Sequence, residues 1–187
     1  MRGRVTLCVL LGAALPWATP AAASCEDPEA RQLDFWVGEW NVDARMRAPG
    51  VEEWSPNQTW VATRVRADLG GCVIVEESLD RGETGTEVVG LSMSSYNSHL
   101  GQWQQVWMDN KGQTFEYVGG LEGDDFVLYL EHTTSAGDRL VTLQLATLIR
   151  MVFRDIEKKR LVWSYEYSTD EGRTWKATNE AVYTRRQ

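Results

Sequence analysis

The chain has 187 residues, 25% of them charged, with 27 acidic against 19 basic side chains and a net charge of −8. That length fits one domain, and an acidic chain whose basic residues are scattered or in short runs such as Lys158-Lys159-Arg160 excludes a phosphate-backbone binder, so no nucleic-acid partner is expected.

Residues 1–23 read as a signal peptide. Arg2 and Arg4 form a positive start, Val5 to Leu15 are mostly apolar, and Ala21-Ala22-Ala23 supplies the small residues before a cleavage site, placed after Ala23. Gly12 and Pro16 interrupt the apolar run, which is too short to stay in a bilayer, so no integral membrane segment is expected after its removal. The expected location is periplasmic or secreted. Cleavage removes two arginines and no acid, taking the charge from −8 to −10. Of three cysteines Cys8 leaves with the leader, and Cys25 and Cys72 have three readings: a disulfide in an oxidising compartment, lipid attachment at Cys25, or a buried free thiol at Cys72. Ala22-Ala23-Ser24-Cys25 lacks the upstream Leu of a lipoprotein signal, which favours a plain soluble product.

Residues 24–34 read as a linker and a short helix of about two turns, with Asp27 as cap and Pro28 at the first helical position. From residue 35 to 187 the periodicity becomes that of strands, expected over 36–46, 58–68, 71–79, 86–96, 102–109, 113–121, 125–132, 139–154 (one strand or two), 160–168 and 175–185. Short turns at Gly70-Gly71, Asn97 to Gly101, Asn110 to Gly112, Glu122 to Asp124 and Glu157 to Lys159 leave no room for crossover helices. The expected fold is therefore all-β, a single antiparallel up-and-down barrel of about nine or ten strands, whose closure removes exposed edges.

Gly38-Glu39-Trp40 opens the first strand and Tyr183-Thr184-Arg185-Arg186 closes the last. This pattern predicts an indole plugging one barrel end with a cation over its face. On that reading Trp40→Ala costs about 3 to 5 kcal/mol and Arg185→Ala about 1. Ser168 to Trp175 matches the Asp-box Ser-x-Asp-x-Gly-x-Thr-Trp, which occurs once, without the blade repeat of a propeller, and reads as a structural turn.

Leu33 to Trp40, Gly71 to Glu76, Gln105 to Asn110, the Asp-box and Tyr183-Thr184-Arg185, in that order along the chain, resemble a bacterial family of unknown function described as lipocalin-like. The resemblance implies a barrel and brings no catalytic residues.

No nucleophile or phosphate-loop motif is present, and no catalytic set, metal site or cofactor is implied. His99 falls in a turn and His132 at a strand end, too isolated for a metal. Trp103, Gln105, Trp107 and Asp109 share one strand face, Glu76 shares a face with Cys72 and Ile74, and Ser92 with Gly90 and Ser94. If these faces point inward, Glu76, Ser92, Trp103, Gln105 and Trp107 are the candidate ligand-binding residues, with Trp107 as wall and Glu76 and Gln105 as orienting groups. Three functions stand: an exported binder of a small hydrophobic or amphipathic ligand, a cofactor-independent enzyme using Glu76 or Asp109 as general acid or base, or a structural barrel filled by Trp40, Trp60, Trp103 and Trp163. The oligomeric state is left open.

Overall fold

A computed structural model of the chain describes residues 25–56, 58–80, 88–133 and 147–186. The leader expected over 1–23, the start of the expected strand 139–154 and the side chains of Trp60 and His132 lie outside the described residues. Ten strands form the fold: β1 (Gly38–Met46), β2 (Gln58–Asp68), β3 (Val73–Asp80), β4 (Val88–Asn97), β5 (Gln102–Asp109), β6 (Thr114–Glu122), β7 (Asp125–Thr133), β8 (Leu148–Arg154), β9 (Arg160–Ser168) and β10 (Lys176–Arg185). Each pairs antiparallel with the next, and β10 returns to β1, so the sheet is a closed barrel.

Period-two patterning sets the inner face. On β1 Trp40 and Val42 are buried while Glu39 and Asp43 are exposed, and the register carries this alternation around the wall. The hairpin turns are built from polar side chains that take up free amides. Asn97 Oδ1 accepts from the amides of His99 and Leu100, and Asp109 Oδ1 from those of Lys111 and Gln113.

One end of the barrel is packed shut. Leu33, Trp36, Trp40, Trp103, Phe126, Phe153 and Leu161 are buried there in one apolar cluster. Trp40 pairs across the strands with Arg185, whose guanidinium covers the indole, and the indole N–H donates to the Trp36 carbonyl at 2.8 Å. Gly38 is required here: its φ is +146°, and a Cβ would overlap the Arg185 guanidinium. Arg186 instead faces Glu39 at 3.6 Å.

The N-terminal lid is the short helical segment expected before the first strand. It is a pair of 3-10 turns, Pro28–Arg31 and Asp34–Trp36, and Asp27 at the N-cap position makes no side-chain capping bond. Pro28 does stand at the first helical turn. The segment is held by other means: a Cys25–Cys72 disulfide, an ion pair between Arg31 and Asp34, and the Trp103 indole N–H donating to Glu29 O and Gln32 Oε1. So short a stretch gains more from tertiary anchors than from helix propensity.

The Asp-box is a local turn on the outside. Asp170 accepts from the amide and hydroxyl of Thr174 (2.9 and 2.7 Å) and from the Ser168 hydroxyl (2.8 Å), and both Glu171 and Gly172 have positive φ. These bonds, Thr174's first, hold the Asp170 carboxyl at a pKa of about 2. Trp175 then packs against Tyr129 and under the guanidinium of Arg150, 4.1 Å from its ring centroid.

Candidate functional site: an aromatic cavity with a buried carboxyl

Away from the packed end the barrel is hollow. A cavity of about 380 Å³ lies between β3, β5, β6, β8, β9 and β10, above the roughly 300 Å³ at which pockets begin to hold drug-sized ligands. Its wall follows from the register. Glu76 faces Ser92, Ser92 faces Trp107, and Trp107 faces Phe115, so one row of residues runs across four strands. The next row, nearer the packed end, is Ser94, Gln105 and Tyr117. On the other side β9 and β10 present Trp163, Tyr165, Asn179 and Tyr183, and β8 presents Met151.

The aromatic rings are ordered in pairs. Phe115 and Tyr117 stack with centroids 6.5 Å apart, and Trp163 and Tyr165 at 6.2 Å, because residues two apart on a strand point the same way. The hydroxyls of Tyr117 and Tyr165 hydrogen-bond to each other, joining β6 to β9 across the interior. Burial holds both phenols protonated, with pKa values pushed above the ordinary tyrosine value. Trp107 needs Gly90 beside it: a Cβ at position 90 would overlap the six-membered part of the indole.

Glu76 is the carboxyl in the cavity lining. Its Oε2 accepts a bond from the Ser92 hydroxyl at 3.0 Å, and Ser78 supplies a second bond. Desolvation outweighs both and raises its pKa to about 7, so near neutrality the group is shared between acid and carboxylate. Tyr183 is pushed well above its ordinary value, first by burial and then by the negative charge of Glu76. Gln105 is anchored through its amide nitrogen, which donates to Ser94 Oγ at 2.8 Å. Trp36 closes the inner end of the cavity, and its buried indole N–H has no hydrogen-bond partner among the described residues.

A family model for proteins of unknown function, DUF1579, matches residues 26–185. The chain belongs to the DUF1579 family. Among solved structures, that of Rv2717c from M. tuberculosis is similar to this DUF1579 chain with a TM-score of 0.53 and 15% identity, covering 86% of this chain and 98% of the other. At that identity the likeness is one of fold. No curated protein matches the sequence.

In this DUF1579 barrel Glu76, Gln105 and Trp107 come together on the cavity wall. Ser92 is fully buried and lies behind them, holding Glu76. Trp103 does not join the cavity: it is 1% exposed at the packed end, bonded to the N-terminal turns and edge-on to Phe126. Its place on the same strand face gave direction but not depth along the barrel. Asp109 does not join the cavity lining, and its Oδ1 accepts the amides of Lys111 and Gln113 in the β5–β6 turn. His99 lies exposed in the β4–β5 turn. Trp163, one of the tryptophans that would fill the core if the barrel were purely structural, is cavity wall, and the hollow speaks against a filled barrel. Phe115-x-Tyr117 and Trp163-x-Tyr165 were missed by sequence, although the same alternation that singled out Trp103, Gln105 and Trp107 marks both. Among the described residues no three His, Cys, Asp or Glu side chains gather as a metal site, and no helix is long and apolar enough to cross a membrane.

Proposed function

We propose that this protein is an exported carrier or sensor of a small aromatic or amphipathic molecule held in the barrel cavity. The observation that carries this reading is the cavity of about 380 Å³ itself, walled by aromatic rings and supplied with few polar groups, which is the usual make-up of a small-molecule site. Trp107 serves as wall, and Glu76 and Gln105 orient the polar end of the ligand. The charged and apolar pattern of residues 1–23 supports export, and the Cys25–Cys72 disulfide is consistent with an oxidising compartment.

A second reading, a cofactor-independent enzyme, has one observation in its favour: a buried carboxyl with a pKa near 7 is suited to accept and return a proton. It lacks a partner carboxylate in the lining among the described residues. Binding is the better supported function.

The test is a fluorescence titration with N-phenyl-1-naphthylamine, a neutral aromatic probe, on wild type and on Ser78→Trp, which fills the cavity. Saturable binding lost in a folded Ser78→Trp protein supports the reading. Equal probe uptake by both proteins, or none by wild type, overturns it.

A further inference from the structure

We infer that the cavity prefers organic ammonium ions carried on an aryl frame, held against its aromatic wall with Glu76 as the counter-ion. This rests on the binding reading above and adds the chemical class of the ligand. The lining contains one carboxyl and, among the described residues, no Lys, Arg or His. Among the described residues the polar groups facing Glu76 are the Ser78 hydroxyl on its own strand, the Ser92 hydroxyl from β4 and one titratable group, the Tyr183 phenol from β10, while Val65 stands opposite on β2. None of them is a cation, so nothing among the described residues of the wall neutralises an ionised Glu76.

The remaining wall favours the same charge. Trp107, Trp163, Tyr117 and Tyr165 line the cavity, and a cation seated over an aromatic face is attracted by its quadrupole, an attraction that strengthens when water is excluded. An anionic ligand would meet the Glu76 carboxyl and tyrosine oxygens without a positive group among the described lining residues to receive it. The net charge of −8 draws cations toward the protein from solution. Ionisation of Glu76 is then linked to uptake: the ammonium ion stabilises the carboxylate, and the proton held by the acid form leaves to solvent, so charge and atoms balance. Because the Glu76 pKa is about 7, this exchange falls near neutral pH, with binding weakening as the pH drops below it.

Three compounds on one frame test the preference: trimethyl(4-phenylbutyl)ammonium, 4-phenylbutanol and 4-phenylbutyrate. Calorimetric titration at pH 7 into wild type and Glu76→Gln, in two buffers of unlike ionisation enthalpy, gives affinity and proton release together. Wild type is expected to bind the ammonium compound about tenfold more tightly than the alcohol, a factor within the range of a desolvated cation–π contact, with the butyrate weakest. Proton release accompanies the ammonium compound alone. Glu76→Gln is expected to lose the cation preference, with the ratio of ammonium to alcohol affinity falling to about one, and to lose the proton release. Equal affinities for alcohol and ammonium, or a preference that survives Glu76→Gln, overturn the inference and leave the binding reading standing. Failure of all three compounds overturns the inference, and overturns the binding reading too when N-phenyl-1-naphthylamine also fails to bind.

Discussion

Arg185 lies over Trp40 with its guanidinium carbon 4.1 Å from the ring centroid, and the same group donates to three backbone carbonyls, of Val37 (2.7 Å), Phe35 (3.0 Å) and Lys158 (2.8 Å). The arginine therefore does two jobs at the seam where β1 meets β10. It covers the indole, and it satisfies carbonyls of the chain entering β1 and of the β8–β9 turn. Trp40→Ala should lower unfolding free energy by about 3 to 5 kcal/mol, as for other buried aromatic truncations. Arg185→Ala should cost about 2 to 3 kcal/mol, above the value of about 1 expected for the ring contact alone, because charge-assisted bonds to carbonyls are lost as well. Arg185→Lys should recover only part, since an ammonium lacks the planar fork that reaches several acceptors. Urea unfolding of the three variants checks the order.

The Cys25–Cys72 bridge spans 47 positions and pins the N-terminal turns to the β2–β3 connection. Closing a loop of that length stabilises by about 4 kcal/mol on the chain-entropy account. The Cys25→Ser, Cys72→Ser double variant should melt well below wild type, and a reducing agent should lower the wild-type Tm toward that of the variant. An unchanged Tm in both cases would show that the lid is held by Trp103 and packing alone.

Two carboxyls give stability opposite pH slopes in separate windows. Glu76, raised from 4.5 to about 7, binds its proton more tightly in the folded state. Its contribution is fully present below 4.5 and is lost as pH rises through 7, a change of roughly 3 kcal/mol if no other group compensates. Asp170, lowered from 3.8 to about 2, acts the other way: its contribution is present above 3.8 and lost as pH falls through 2. Glu76→Gln should flatten the stability profile between 4.5 and 7 and leave the acid limb in place. Unfolding curves across pH, with a carbon-13 titration of the Glu76 carboxyl, measure both.

The architecture was legible in the sequence because strand alternation, short turns and the Gly38-x-Trp40 opening all report local constraints, and the described strands match the expected ones within a few residues apart from β8, where the start of the expected 139–154 lies outside the described residues. The disulfide was one of three options, since spacing alone cannot bring Cys25 beside Cys72. The cavity was legible only in part. Glu76 is conspicuous as an acid among Val73, Ile74 and Val75, and Trp107 shares a face with Gln105. Trp103 shares that face too, yet it sits near the start of β5, where the N-terminal turns cover it, and depth along the barrel depends on strand tilt and stagger, which period-two reasoning does not contain. The short helix before β1 was legible from Asp27 and Pro28, which signal a helix start without stating which helix follows, so its 3-10 form was not.

That difference in depth is testable. Trp107→Ala should weaken N-phenyl-1-naphthylamine binding by about tenfold or more, the cost of losing an aromatic anchor, while leaving the fold intact by circular dichroism. Trp103→Phe should do the reverse, losing the bonds to Glu29 O and Gln32 Oε1 and about 1 to 2 kcal/mol of stability without a change in affinity.

The most direct measurement is native mass spectrometry of the protein purified from its own host, wild type beside Ser78→Trp. A hollow of about 380 Å³ in an aromatic barrel predicts that wild type carries a small non-covalent adduct and that the filled variant does not. Bare protein in both preparations, or the same adduct on both, would contradict a ligand held in the barrel.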